Sequence, residues 1–446
     1  MSANSIQNLA RVVDRCLKSF DVLSPGIRAL TRLFETLFFA TLKTEEGKPL
    51  QFRIVLVDPA NPDPDAPPRP RPHRWKITTL GRQLPLTVPT LVKLSKAADP
   101  WNSSLAAYYN PKGEFFVWGL VDQSVQFNTM LVRETESGYG LPGLFQILAA
   151  GPADLSVHVD FRFIARLQQD TVLKSQTDIF WSAGPISDCI DLPMQRYLEN
   201  IWSKSGRPDK ESEQWKGQVP YLANEWIRTL CRILISIQRY RHGGALLLTT
   251  GKAHLDVKYE IRYERIPEAL RNLGVARIKQ NRAQEELRRY LDDPTIDVVP
   301  AMVHLDESIE ETAVEDYTNE ITGCVRFVSS LSYVDGLILS NPDLSIRGFG
   351  VEIRAKKDPA QVFLSTYPSG KQKSLRALNP QYYGMRHRSM MRYCFAHAGS
   401  VGFVISQDGE IRVMTRVKQA LLLWENLKVL DFTKEDFRKR ILKPEN

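Results

Sequence analysis

The stretch GMRHRSMMRYCFAHAGSVGFVIS, residues 384–406, sets a glycine ahead of Arg386, His387 and Arg388, then a helix-like run and an apolar strand-like run. Gly384 lets the backbone approach a bulky group closely. The planar donor forks of Arg386 and Arg388 suit phosphate oxygens. A helix starting at about Arg386 would add its free N–H groups to an anion site. The same triplet also reads as exposed basic residues on a helix.

Working outward, 446 residues point to two or three domains. A hydrophobic content of 43% with 25% charged residues is that of a soluble globular protein. The net charge of +8 is compatible with a polyanionic ligand such as a nucleotide, and without a long Lys/Arg tract nucleic acid is not expected. The five scattered cysteines form no CxxC pair, which argues against a zinc ribbon or a disulfide framework and for a reducing cytoplasm. Charges interrupt every apolar run of the first twenty residues, so neither a signal peptide nor a membrane span is expected.

The periodicity predicts an amphipathic helix over 5–20, then strands at LFFATL (37–42), LQFRIVLV (50–57), GEFFVWGLV (113–121) and LSVHVDFRFIARL (155–167). Residues 58–74 are rich in proline and predict an exposed loop. The polar run 204–217 reads as an interdomain linker. Residues 221–250 then read as helix, turn and buried strand. Further helices are expected over 276–293 and 314–331, two strands over 333–355, and a hairpin over 401–414 with Asp408-Gly409 as a two-residue turn. The C-terminal QALLLWENLKVLDFTKEDFRKRI reads as an amphipathic helix. The expected organisation is a β-rich domain over 1–204, a linker over 205–219, an α/β domain over 220–418 with a helical insertion at about 276–331, and a helical tail over 419–446.

Asp335-Gly336 is the second notable element. An aspartate ahead of the apolar run GLIL stands where sheet ends meet ligands in α/β folds. Its carboxylate is suited to ligate a divalent cation or to take a proton from a hydroxyl. Asp-Gly is also a common turn pair.

Four segments in order resemble the diadenylate cyclase (DAC) domain, of the DisA N-terminal type. They are GGALLL (243–248), Asp335-Gly336-Leu337, Gly384-Met385-Arg386-His387-Arg388 and VGFVISQDGEIRV (401–413). The likeness covers roughly residues 220 to 415, and the region ahead of it looks like the β-rich sensors fused to some DAC domains (the DACNV type). The resemblance implies an α+β/α/β two-domain protein whose C-terminal mixed sheet is flanked by helices. It implies condensation of two ATP into cyclic di-AMP and pyrophosphate, controlled by an unidentified ligand of the sensor. Asp335, with His387, would hold Mg²⁺ or Mn²⁺, and Arg386 and Arg388 would grip the triphosphate. Gly336, Leu337, Gly384, Met385, Ser406 and Gln407 would line the nucleotide. One ATP per domain implies a homodimer with facing sites.

The sequence departs from the family's pattern at Met385, where threonine is usual, at Leu337, where alanine is usual, and at Gln407, where active members carry a metal-binding glutamate. An amide coordinates a hard cation more weakly than a carboxylate. A non-catalytic nucleotide binder is therefore the alternative expectation. His73, His158, His242, His254, His304 and His397 share no ligand spacing and are expected to be solvated or packed. Tyr382-Tyr383 is a candidate adenine platform.

Overall fold

A computed structural model of the chain describes residues 3–19, 24–62, 75–125, 144–159, 162–240, 242–293, 295–296, 298–371, 375–407 and 409–429. The chain divides into two compact units, Met1–Gln176 and Thr177–Asn446. The division falls near residue 176, ahead of the break expected at 204–217. That polar stretch instead connects two helices inside the second unit.

The first unit opens with helices α1 (Ala3–Ser19) and α2 (Ile27–Thr41) and the two-residue strands β1 (Thr44–Glu45) and β2 (Lys48–Pro49). Next come β3 (Phe52–Leu56), β4 (Lys76–Pro85), helix α3 (Val88–Leu94), β5 (Ser103–Tyr109), β6 (Phe115–Asp122), β7 (Phe145–Gly151), β8 (Asp154–Val159), β9 (Arg162–Gln168) and β10 (Thr171–Leu173). An eight-stranded sheet runs β10-β9-β8-β7-β3-β5-β6-β4, with β3 parallel to β5 and antiparallel to β7. Leu9, Val13, Leu30, Phe34 and Phe38 of the helices bury against Phe52, Ile54, Ile147 and Val157 on one face of this sheet. The other face carries a separate cluster of Val55, Val57, Trp75, Ala106 and Trp118.

Two expectations fail here. LFFATL is the end of α2, because Leu30, Leu33, Phe34, Leu37 and Phe38 recur at helical spacing and are all buried. The run 155–167 is two antiparallel strands, β8 and β9, not one. Most of the proline-rich stretch, 63–74, lies outside the described residues.

The second unit comprises α4 (Pro185–Lys204), α5 (Glu213–Arg239), β11 (Gly244–Leu248), β12 (Leu255–Tyr263), α6 (Arg265–Asp292), α7 (Ala301–Ser330), β13 (Leu337–Ser340), β14 (Ile346–Ile353), β15 (Val362–Ser365), β16 (Leu375–Ala377), α8 (Met385–Ala396), β17 (Val401–Ile405), β18 (Ile411–Val417) and β19 (Ala420–Trp424). Its nine strands are ordered β12-β14-β13-β11-β17-β18-β19-β15-β16. The sheet is mixed: β11 runs parallel to β13 and antiparallel to β17. Helix α8 packs on one face, where Met390, Met391, Tyr393 and Cys394 join Ala245, Leu247, Leu339, Val404 and Met414 in one core. On the other face Ile237 of α5 reaches Gly244, and Phe180 stacks on Phe403. Together the two sheet-rich regions make a two-domain α+β chain.

Over the residues expected as a helical insertion, the chain forms a hairpin of two long helices, α6 and α7, between β12 and β13. ALLLW, expected as helix, is instead β19, paired antiparallel with β18 and parallel with β15. Residues 430–446 of the expected tail lie outside the described residues. The 401–414 hairpin forms, but its loop is longer than two residues. Ser406 N donates to Glu410 O at 2.9 Å and Gly409 N to Ser406 O at 3.0 Å, so three residues separate the last pair.

Candidate functional site: one end of the mixed sheet

Three strand termini meet at one end of the second sheet. Leu246 pairs with Ile338, so Gly243 and Asp335 lead into neighbouring parallel strands at the same level. Gly244 pairs with Ile405, so Ser406 and Gln407 leave β17 at that end too. Neighbouring strands lie about 4.8 Å apart, which sets residues from three distant chain segments within one small area.

Gly243 marks the centre. Its φ is +72°, and a Cβ there would lie 2.7 Å from Arg386 Nη1 and 3.0 Å from Ile405 O. The guanidinium therefore rests on bare backbone that any side chain would obstruct. Arg386 is half-buried and makes no hydrogen bond or ion pair with the described residues. It belongs to the first turn of α8, which starts at Met385, with Arg388 N donating to Gly384 O. The open N–H groups of that turn add to the positive field.

Asp335 is exposed and has no hydrogen-bond or ionic partner among the described residues. Gly336 after it has φ +117°, and a Cβ would stand 2.6 Å from Gly350 C. Gly336 is thus required by the close passage of β14, whatever else it does. Leu337 is buried in the core under α8 and does not present its side chain at the surface. Met385 is 76% exposed. Gln407 is exposed, and Ser406 Oγ accepts from Arg412 Nη1 at 2.8 Å.

The Arg-His-Arg triplet does not act as one surface. Successive helical side chains fan apart. His387 faces Arg412, whose Nη1 donates to its Nε2 at 3.4 Å. Burial, then Arg412 and Arg386, pushes the imidazole down to about 4, so it is neutral at pH 7. A guanidinium against Nε2 is a poor neighbour for a dication, and His387 fits a positioning role better than the ligand role expected for it. Arg388 lies toward Asp358, the carboxylate that accepts from Arg392 Nε at 2.6 Å. The Nε of Arg388 is buried and without a hydrogen-bond partner.

Behind the triplet, Arg412 Nε donates to Glu425 Oε1 at 2.6 Å, and the same oxygen accepts from Tyr383 OH at 3.1 Å. Arg412 also lies over the Tyr383 ring. Tyr383 is thereby a packing residue, while Tyr382 is 88% exposed. Glu410 is buried, its Oε1 accepting from Asn426 N at 2.8 Å, and so it turns inward.

Sequence reasoning missed an aromatic cluster beside the site. Tyr333, two residues ahead of Asp335, has its ring 4.4 Å from that of His242 and 4.5 Å from that of Tyr240. His242 immediately precedes Gly243, and its Nδ1 is 2.8 Å from Gly243 O. Tyr333 is exposed, offering an open ring at the same sheet end. Its position in YVDG, next to the candidate aspartate, was the available signal.

As to a cation, no three His, Cys, Asp or Glu side chains gather in ligating reach among the described residues. The donor set is one unengaged carboxylate, Asp335. That fits a magnesium-type ion held by one carboxylate and the phosphates of a nucleotide, and not a cage built by protein alone.

Residues 21–122 match the family described as Probable sensor domain DACNV. The match covers most of the first unit's helices and strands up to β6. No curated protein and no solved structure matches the chain. Among the described residues no helix is long and apolar enough to cross a membrane.

Proposed function

We propose that the second unit is a diadenylate cyclase-type nucleotidyltransferase that condenses two ATP into cyclic di-AMP and pyrophosphate, under control of the N-terminal sensor. The observation that carries this reading is the placement of Arg386 on Gly243 at the sheet end that Asp335 also enters. The sensor match supports it, because DACNV domains are often fused to DAC domains.

In this reading Arg386 and the first turn of α8 bind the phosphates and stabilise charge as pyrophosphate leaves. Arg388, turned toward Asp358, has no part in this grip. Asp335 orients the ribose 3′-hydroxyl and draws off its proton. Mg²⁺ or Mn²⁺ held by Asp335 and the phosphates would neutralise phosphate charge. Tyr333 is the surface on which the adenine stacks. Neutral His387 and Arg412 brace the helix start. Two such sites must face each other, so the working form is a homodimer.

A second reading is favoured by Gln407. The residue at that position is a neutral amide, and the nearby Glu410 is turned inward and engaged with Asn426. This leaves one carboxylate for a cation and supports a nucleotide binder without turnover.

The test is incubation of the purified chain with ATP and Mg²⁺ or Mn²⁺, followed by chromatography for cyclic dinucleotide. Product is expected from the native chain and none from Asp335→Asn or Arg386→Ala. Asp335→Asn should keep its unfolding midpoint, because the carboxylate has no partner to lose. Undiminished product from both variants overturns the mechanism. Binding without turnover that becomes turnover in Gln407→Glu establishes the second reading.

A further inference from the structure

The face of the first unit's sheet opposite α1 and α2 carries a row of buried polar side chains. Along β3, Arg53 alternates with Phe52 and Ile54 of the helix-side core, and along β7 Gln146 alternates with Phe145 and Ile147. Ile54 pairs with Leu105, which brings Arg53 beside Ser104 on β5. Gln146 pairs with His158 on β8. Contacts link the row: Arg53 Nη1 donates to Gln146 Oε1 at 2.9 Å, Arg53 Nε to Pro100 O at 2.9 Å, and Ser104 Oγ to Gln123 Oε1 at 2.5 Å. Ser156 Oγ lies 3.4 Å from His158 Nε2.

Three atoms of this row are buried and make no hydrogen bond: Gln123 Nε2, Gln146 Nε2 and His158 Nδ1. Gln146 and Gln123 are at most 1% exposed. The two amide nitrogens can only donate. His158 Nδ1 carries the proton when Nε2 accepts from Ser156 Oγ. Buried donors in folded proteins are nearly always matched, and two unmatched amide donors in one row call for acceptors from outside the protein.

We propose that this row is the ligand site of the sensor, and that it takes a small molecule bearing a carboxylate or a phosphate. Such a group supplies several acceptor oxygens, and the two idle amide nitrogens offer none of their own. The guanidinium of Arg53 adds a favourable field for a negative ligand. Burial, with Arg53 and Arg166 nearby, pushes the His158 imidazole down to about 3, so the ring beside Gln146 is neutral. Arg53 and Ser104 lie within the segment matched to the sensor family, while Gln123, Gln146 and His158 follow it.

The experiment uses the full chain carrying Arg386→Ala, which removes the phosphate-binding group proposed for the other unit. Its thermal unfolding and calorimetric binding are followed with succinate and with inorganic phosphate, without ATP. A saturable rise in midpoint with one or both probes is expected, and their comparison distinguishes carboxylate from phosphate. Gln146→Glu places a carboxylate beside Arg53; it should raise the ligand-free midpoint and abolish the response. Gln123→Leu should weaken binding at least tenfold with the fold retained by circular dichroism. No saturable response to either probe, as when water alone fills the row, overturns the proposal, and so does a response unchanged in both variants. Because ATP plays no part in the measurement, the outcome is separate from that of the cyclase test.

Discussion

Arg386 Nη1 lies 2.7 Å from the point where a Cβ on Gly243 would stand, although the two residues are far apart in the chain. The glycine just ahead of the β11 strand is therefore the floor on which the arginine of α8 rests. Gly243→Ala strains a backbone at φ +72° and displaces the guanidinium. The strain costs about 1–2 kcal/mol of stability, and loss of one charge-assisted contact weakens ATP binding by about ten- to a hundredfold. Calorimetric titration with ATP, alongside urea unfolding, checks both parts.

Tyr333 and Tyr383 are expected to behave oppositely. The exposed Tyr333 ring stands beside Asp335, while Tyr383 is tied to Glu425 and packed on His387. Tyr333→Ala should weaken ATP binding by about 1–3 kcal/mol with little change in stability. Tyr383→Phe should lower stability by about 1 kcal/mol through its lost hydrogen bond and leave ATP binding unchanged.

His387 gives the second unit a defined acid sensitivity. Its folded value, pushed down to about 4, lies below the ordinary 6.5 of an unfolded chain. Above pH 6.5 both states hold the ring neutral and stability is unaffected. As pH falls from 6.5 toward 4 the unfolded chain takes the proton first, so stability is progressively lost. His387→Asn should lose less stability than the native chain over that window. Urea midpoints at pH 7, 6, 5 and 4 measure the difference; parallel curves would refute it.

Much of the second unit was legible in the sequence because its signals are local. The α5 helix, the buried GALLL strand and the 401–414 hairpin each carry their own periodicity and punctuation. The misreadings share a cause. LFFATL has the composition of a strand, but its buried positions repeat with those of the preceding turn of α2, and packing overrode propensity. ALLLW is too short for its period to separate helix from strand, and only its partners β18 and β15 decide. The fan of Arg386, His387 and Arg388 onto three different neighbours was not visible either. It depends on Gly243, Arg412 and Asp358, which share no pattern with the triplet. His158, expected to be solvated or packed, pairs with the buried Gln146, which only the register of the sheet reveals.

The β11 strand finds one neighbour, β13, across the whole α6–α7 hairpin, and the other, β17, still further along the chain. Both pairings carry a heavy loop-closure entropy, which tends to slow folding, while the intervening helical hairpin rests on local contacts. Gly243, Asp335 and Arg386 thus come together only when these remote pairings have closed. A chain stopped short of residue 401 would retain all three residues and yet lack the strand β17 that completes their surroundings, so the proposed nucleotide capture would report a finished sheet.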